Sequence, residues 1–253
     1  MKEFIYKILD LLTLKKGFNI HVSGFRLRFP ARYFKYFEPD YELNNINFIN
    51  NNIKPGMVAI DVGAHLGLIS IIIGKRVSPN GNVFSFEPTP STFRLLKRTI
   101  EINKMSGTVK PLNKAISERT GKDFFYVTDI EASNSNSLSN NKRTIGTETK
   151  IEVQLTSIDD FAKEYNLNKI DLIKIDAEGT EYSVLKGATE VIDKSKPKII
   201  LALHPDSIKN FGDTLSDIWD FVTAKKYTII YNTERITKDE FVSRTDLFDV
   251  FLV

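Results

Sequence analysis

The sequence predicts an α/β fold, with a mostly parallel sheet and helices on both of its faces. From residue 53 onward, short apolar runs of strand length alternate with helical patterns, which is typical of strand–helix–strand units. Several of these runs end at an acidic residue beside a turn, so polar groups should gather at one edge of the sheet. The length of 253 residues and the hydrophobic content of 42% suit one domain with a sizeable core.

Apolar periodicity and turn residues define the predicted elements in order. The first strand begins near residue 58 and reaches Asp61, and a glycine turn separates it from a buried helix that starts near Leu66. A second strand covers residues 82–86, and a helix begins after Pro90. The remaining elements are a strand at 109–116, a hairpin at 124–127 and 151–155, a helix from Ser157 to residue 165, a strand at 170–175, a helix at 181–192, a strand at 198–203, a helix at 215–222 and a terminal pair at 227–231 and 247–253. Seven sheet strands result, the last pair antiparallel.

The chain divides, on this prediction, into an appendage at residues 1–50 and a main domain at residues 51–253. The appendage should contain a helix and short strands, and the main domain carries an inserted hairpin at about residues 121–155. The Ser- and Asn-rich loop at residues 133–141 could be an inert hairpin tip or a lid over a substrate. Charged residues interrupt the apolar N-terminal helix, which excludes a signal peptide or a membrane span and favours packing on the domain over docking at a membrane surface. We expect a cytoplasmic protein.

The glycine turn and the next strand predict a ligand site. Gly63 and Gly67 would let the backbone pass close to a ligand, although both could also be simple turn glycines. Glu87 directly follows the second strand, where a carboxylate can accept hydrogen bonds from the two hydroxyls of a ribose. The turn lacks the G-x-G-x-x-G spacing of dinucleotide sites, and Asp61 would repel a pyrophosphate. A cationic ligand with a ribose fits instead, and S-adenosylmethionine is such a ligand.

Four motifs in sequence order, with a pair before them, resemble FkbM-type S-adenosylmethionine-dependent methyltransferases. The matching stretches are residues 61–67 (Asp-Val-Gly-Ala-His-Leu-Gly), 86–88 (Phe-Glu-Pro), 156–161 (Thr-Ser-Ile-Asp-Asp-Phe), 170–182 (Ile-Asp-Leu-Ile-Lys-Ile-Asp-Ala-Glu-Gly-Thr-Glu-Tyr) and the pair Tyr41 and Glu42. His65 stands where the family most often has Asn. The resemblance implies the class I methyltransferase (Rossmann-like) sheet and an acceptor hydroxyl on a sugar or other small metabolite. The predicted donor-binding residues are Glu42, Asp61, Gly63, His65, Gly67 and Glu87.

A second group of polar residues supplies the catalytic candidates. Asp176 ends a buried strand, where its carboxylate must pair with a cation such as Lys174 or face the active-site cleft. Glu178 lies on the same loop, and His204 follows the next strand, so the three should be neighbours. They could act on the proton of an acceptor hydroxyl, or the trio could hold a divalent metal, and we assign no metal ligand. Glu181 is expected only to sit favourably at a helix N-terminus.

Composition restricts the partners. The formal net charge of +3 is small and dispersed, and no N/D-P-P-Y-type amine-binding turn follows Ile175, so we expect no nucleic-acid partner. Cysteine is absent, which excludes disulfides and thiolate metal sites. The function predicted is S-adenosylmethionine-dependent O-methylation, with the small hydroxylated acceptor that the family resemblance implies. The alternatives are a methyltransferase for nucleic acid or protein, and a donor-binding module without catalysis.

Overall fold

The computed structural model describes residues 2–14, 16–128 and 148–253. The strands of these residues are β1 (Phe18–Val22), β2 (Phe25–Phe29), β3 (Val58–Val62), β4 (Asn82–Phe86), β5 (Val109–Leu112), β6 (Ala115–Ile116), β7 (Gly121–Thr128), β8 (Glu148–Thr156), β9 (Leu172–Ile175), β10 (Lys198–Leu203), β11 (Ile229–Tyr231), β12 (Glu234–Arg235) and β13 (Phe248–Leu252). The helices are α1 (Lys2–Leu12), α2 (Leu43–Asn52), α3 (Leu68–Val77), α4 (Pro90–Ile102), α5 (Ile158–Glu164), α6 (Glu181–Lys186), α7 (Thr189–Ser195), α8 (Pro205–Asn210), α9 (Leu215–Ala224) and α10 (Lys238–Val242).

The central sheet has the strand order β12-β11-β13-β10-β9-β3-β4-β5. Neighbours from β10 to β5 run parallel, while β13 is antiparallel to both β10 and β11. The fold class predicted from the sequence, including the antiparallel strand pair at the end, is confirmed. The described part of the sheet has eight strands rather than seven, because the chain after β11 turns back at Asn232 and adds the two-residue strand β12.

Helices cover both faces of the sheet, as predicted. Successive residues of a strand point to opposite faces, so Ile60 packs in one core cluster and Ala59 in the other. The first cluster includes Phe161 of α5 and Ile218 of α9, and the second includes Ile72 of α3. The two apolar layers fix the sheet between them, and its polar strand ends remain at one edge.

Two predicted elements are each divided in two in the structure. The expected strand at 109–116 is β5 in the central sheet and β6 in a second sheet, because the chain turns at Asn113, whose side-chain amide donates to the carbonyls of Glu87 and Pro88. The expected helix at 181–192 is α6 and α7. It breaks at Gly187, which lies so close to Ser117 that a Cβ there would stand 2.2 Å from the Ser117 carbonyl oxygen. The short helix α8 was not predicted.

The second sheet has the order β6-β8-β7. Strands β7 and β8 pair antiparallel from Gly121 opposite Leu155 to Thr128 opposite Glu148, and β6 pairs with β8 in parallel. The loop at residues 133–141, for which a lid role is one of the two predictions, lies outside the described residues. The division of the chain at residue 50 also stays a prediction.

The N-terminal residues contact the main domain in two ways. Asp10 of α1 accepts a hydrogen bond from the backbone of Ala31 and pairs with Arg98 at 2.9 Å, while Leu12 on the same helix is 75% exposed. Helix α2 packs far more closely, since Ile49 is fully buried in the second core cluster. Among the described helices, none is both long enough and apolar enough to cross a membrane.

Candidate active site

A cleft opens at the carboxyl ends of β3, β4 and β9. Its empty volume is about 1000 Å³, counting the open mouth. The predicted site residues that line it are Glu42, Gly63, His65, Glu87, Asp176 and Glu178. Asp61, Gly67 and His204 do not line this cleft, although each lies next to a residue that does. The structure therefore brings together two strand ends that are more than a hundred residues apart in the chain.

The glycines of the turn after β3 have a packing role. Gly63 has a φ of +73°, and a Cβ at this position would stand 2.0 Å from the backbone oxygen of Asp176. Gly67 has a φ of +87° and precedes α3, and a Cβ there would stand 2.7 Å from Leu96. Both positions therefore need glycine for packing within the protein, and the close approach to a ligand expected from the sequence stays a prediction. Of the two, Gly63 also lines the cleft.

Glu87 occupies the end of β4 and is 6% exposed. One carboxylate oxygen accepts from the backbone N–H of Thr89 at 2.9 Å, and the other accepts from the backbone N–H of His65 at 3.1 Å. Burial raises the pKa of Glu87 to about 7, against the effect of these hydrogen bonds. The Thr89 side chain also hydrogen-bonds to this carboxylate. Two oxygens with two lone pairs each can accept four hydrogen bonds, so capacity remains for a further donor.

Asp61 lies beneath the cleft and is fully buried. Its Oδ2 accepts from the Ser70 hydroxyl at 2.5 Å, and its Oδ1 lies 3.8 Å from Lys174 Nζ, with no hydrogen-bond partner among the described residues. Lys174 is itself buried and also donates to the carbonyl of Gly63. Burial lowers the pKa of Lys174, but the surrounding carboxylates outweigh it and hold that pKa above its usual value.

Glu42 reaches the cleft from the start of α2. It has a φ of +58° and accepts from the side-chain amide of Asn45, which also donates to Asp249 at 2.8 Å. Burial raises the pKa of Glu42, while Lys174 lowers it. The left-handed backbone of a non-glycine residue at this position matches the strain that is often found at functional sites.

Three polar side chains gather at the ends of β9 and β10. His204 Nε2 lies 3.7 Å from Asp176 Oδ1 and 3.5 Å from Glu178 Oε2. Asp176 Oδ2 accepts from Lys174 at 3.0 Å. Burial raises the pKa of Asp176, but Lys174 and His204 outweigh it and keep that pKa below its usual value. Burial raises the pKa of Glu178 to about 7. The neighbourhood expected from the sequence for these three residues is present.

Glu181 is the site residue that sequence reasoning missed. It is fully buried, and its Oε1 lies 2.9 Å from His204 Nδ1 while it also accepts from the backbone N–H of Gly179. Burial lowers the pKa of His204, but Glu181 and the two nearby carboxylates raise it to about 9. The signal in the sequence was the spacing of the two acids, since Glu181 lies three residues after Glu178 with a glycine between them. In the structure both acids lie near His204, at the end of β10.

The cleft fits S-adenosylmethionine. The Glu87 carboxylate lines it with capacity to accept from a ribose hydroxyl, and the side chains of Phe86, Ile116 and Phe125 supply apolar walls for a planar base. Glu42 lines the cleft and Asp61 lies beneath it, so two carboxyl groups lie near a cationic ligand bound there. A sheet of this order with an acid at the end of its second parallel strand defines a class I S-adenosylmethionine-dependent methyltransferase.

The chain belongs to the FkbM methyltransferase family, since residues 61–229 match the model of the methyltransferase FkbM domain. It is 28% identical over 209 residues to the hexuronic acid methyltransferase AglP of Haloferax volcanii, covering 79% of this chain and 82% of that protein. It is 28% identical over 154 residues to the 2-O-methyltransferase NoeI of Sinorhizobium fredii, covering 56% of this chain and 62% of that protein. The structure of a Clostridium thermocellum protein assigned as an rRNA methylase superposes with a TM-score of 0.51 at 9% identity, covering 83% of this chain and 91% of that one, which shows the fold alone.

Proposed function

We propose that the protein transfers a methyl group from S-adenosylmethionine to a hydroxyl oxygen of a sugar or a similar small molecule. The observation that carries the proposal is the position of Asp176, Glu178 and His204 at strand ends beside the donor-binding strand ends. The names of the two relatives point the same way, because one acts on a hexuronic acid and the other on an oxygen. The proposed donor contacts are those predicted from the sequence, with Glu87 on the ribose.

The chemistry needs a group that accepts the hydroxyl proton. S-adenosylmethionine supplies a methyl group on a positively charged sulfur, and the carbon–sulfur bond breaks with its electrons on sulfur as the oxygen–carbon bond forms. Glu178 lines the cleft, and its pKa of about 7 suits a proton acceptor near neutral pH. Asp176 remains ionised beside Lys174 and is suited to orient the hydroxyl. His204 is held by Glu181 and stabilises both carboxylates.

The dispersed charge of the chain supports a small acceptor rather than nucleic acid. A net charge of +3 spread over 35 basic and 32 acidic residues supplies little of the phosphate attraction on which nucleic-acid binding depends. The polar groups proposed for the acceptor are carboxylates, which would repel phosphates and accept hydrogen bonds from sugar hydroxyls.

The test offers radiolabelled S-adenosylmethionine to four acceptor groups in parallel. These are hydroxylated sugars including hexuronic acids, duplex DNA, structured RNA and a protein mixture. We expect label in the sugars, in a product that resists mild alkali as an ether does. Glu178→Gln should remove most of this label, and Glu190→Gln, on an exposed helix face, should not. Label found only in nucleic acid or protein, or in no acceptor at all, would overturn the proposal.

A further inference from the structure

We propose that Asp176, Glu178 and His204 bind a divalent cation of the Mn²⁺ type, and that an acceptor hydroxyl completes its coordination. The site lies at the end of β9 and β10, on the acceptor side of the cleft. The part of this proposal that concerns the acceptor rests on the proposed function, whereas the cation site stands on its own geometry.

The three side chains present one ligand atom each to a shared point. One ligand atom from each residue lies within 4.8 Å of the others. His204 Nε2 lies 3.5 Å from Glu178 Oε2 and 3.7 Å from Asp176 Oδ1, which is too long for a direct hydrogen bond. Neighbouring ligands at right angles around an ion at about 2.1–2.4 Å are about 3.0–3.4 Å apart. Shifts of a few tenths of an ångström would therefore bring His204 Nε2 to ligand spacing from each carboxylate oxygen, and the two carboxylates already lie within 4.8 Å of each other.

Hydrogen bonds orient two of the three proposed ligands. His204 Nδ1 lies 2.9 Å from a carboxylate oxygen of Glu181, and Asp176 Oδ2 accepts from Lys174 at 3.0 Å. Each contact leaves the other polar atom of the same side chain, Nε2 or Oδ1, directed at the shared point. Metal-binding histidines and carboxylates are commonly oriented in this way, by a hydrogen bond to the ring nitrogen or the carboxylate oxygen that does not bind the metal.

The negative charge around this point exceeds the cations that face it. Lys174 is shared among Glu42, Asp61 and Asp176, and His204 faces Asp176, Glu178 and Glu181. His65 adds a weaker interaction with Asp176. Asp249 adds a further carboxylate behind Asn45. Glu181 is fully buried, and its Oε2 has no hydrogen-bond partner among the described residues. Buried carboxyl groups in excess of their cations are costly to ionise, and a bound cation would balance their charge, which gives a second reason for an ion.

The ligand set indicates the kind of ion. Two carboxylates and one imidazole suit Mn²⁺ better than Mg²⁺, which prefers oxygen ligands alone. Asp176 and Glu178 line the cleft, so the remaining coordination positions face the acceptor. A hydroxyl bound to the ion loses its proton more readily, and Glu178 Oε1, the oxygen not used for the ion, receives that proton. The deprotonated oxygen would then form the bond to the methyl carbon as the carbon–sulfur bond of the donor breaks with its electrons on sulfur.

The test measures Mn²⁺ binding by electron paramagnetic resonance on donor-free protein that has been dialysed against EDTA. Wild-type protein should lower the signal of free Mn²⁺ by an amount that corresponds to one bound ion per chain. His204→Gln and Asp176→Asn should each weaken binding by at least about tenfold, and Glu181→Gln by about 10–100-fold, as loss of an outer contact does. Asp193→Asn, in an exposed ion pair on α7, is the matched control and should bind as wild type does. Circular dichroism checks that each variant is folded. If Glu181→Gln does not fold, His204→Gln decides the outcome.

No Mn²⁺ binding by folded wild type, or equal binding by wild type and the His204→Gln and Asp176→Asn variants, would overturn the cation site. Sugar methylation that survives EDTA without loss would overturn the part of the proposal in which the acceptor hydroxyl binds the ion, and would leave the proposed function intact. Mn²⁺ binding at the three residues together with no methylation of any sugar would keep the site and reject the proposed function. The two proposals therefore fail separately.

Discussion

Lys174 and Asp61 lie opposite each other in register on neighbouring parallel strands, with Lys174 Nζ 3.8 Å from Asp61 Oδ1. Asp176 lies two residues after Lys174, so the two side chains point to the same face of the sheet. Lys174 Nζ donates to Asp176 Oδ2 at 3.0 Å. One buried lysine thus joins the turn after β3 to the loop after β9. Because it also donates to the Gly63 carbonyl, it fixes the relative position of the proposed donor and acceptor sites.

Removal of this cation should destabilise the fold strongly. Lys174→Met leaves the Asp61 and Asp176 carboxylates without their cation, and the free energy of unfolding should fall by about 3–5 kcal/mol. Lys238→Met, in an exposed pair with Asp220, should cost less than about 1 kcal/mol. Urea denaturation measures both, and Asp61→Asn added to Lys174→Met should recover part of the loss. Equal effects of the two lysine changes would contradict the central role of Lys174.

Loss of the Glu87 carboxylate should weaken donor binding. Glu87→Ala removes an acceptor placed for a ribose hydroxyl, and the affinity should fall by about 1.5–3 kcal/mol, as for hydrogen bonds to a charged group. Calorimetric titration with S-adenosylmethionine or its demethylated product gives the value. Glu101→Ala, on the exposed side of α4, should bind as wild type does. An unchanged affinity of Glu87→Ala would reject the ribose contact.

The raised pKa of Glu87 should appear as a pH dependence of stability. Its pKa is about 7 in the folded protein and 4.5 in the reference state, so the folded state holds the proton more tightly. Its favourable contribution is therefore complete below pH 4.5 and is lost as the pH rises through about 7. Between pH 5 and pH 8, donor-free wild type should lose about 1–3 kcal/mol of stability relative to Glu87→Gln. Urea denaturation at both pH values measures this, and a difference that is constant with pH would show that Glu87 titrates normally.

Gly63 should tolerate no side chain. Gly63→Ala would place a Cβ 2.0 Å from the Asp176 backbone oxygen at a φ of +73°, so both the clash and the backbone conformation cost stability. Gly56→Ala has a similar φ of +86° with open space around the Cβ, and should lose only the conformational part, about 1–2 kcal/mol. Thermal unfolding of the pair separates the two effects. Equal melting temperatures would mean that Asp176 moves away without cost.

Glu178 should affect turnover and not donor affinity. Glu178→Gln removes the proposed proton acceptor, and kcat should fall by about 10²–10⁴-fold while the donor dissociation constant stays near that of wild type. Steady-state kinetics with an accepted sugar and calorimetry with the donor give the two values. A rise in the donor dissociation constant with unchanged kcat would place Glu178 in the donor site instead.

Local sequence patterns were sufficient to predict most strands of the sheet, but not the two places where a predicted element is divided. β3, β4 and β10 are apolar runs, and their positions follow from these runs and the turn residues beside them. The division at Asn113 and the break at Gly187 depend on contacts with Glu87 and Ser117, which no local pattern contains. Donor and acceptor candidates were found because polar residues at carboxyl strand ends meet at one edge. The role of Glu181 was missed because a buried acid beside a histidine depends on which strands are neighbours, and the glycine contacts were missed for the same reason.

Helix α2 ties the first fifty residues to the last strand of the sheet. Phe48 stacks on Phe251 with ring centroids 4.4 Å apart, Ile46 and Ile49 are fully buried, and Asn45 donates to Asp249 beside the cleft. In a recombinant chain that starts at residue 51, an apolar surface on one side of β13 would therefore be exposed to solvent, and Glu42 would be missing from the rim of the cleft. Such a truncated product would aggregate during purification, so expression trials that trim the N-terminus should stop before residue 41.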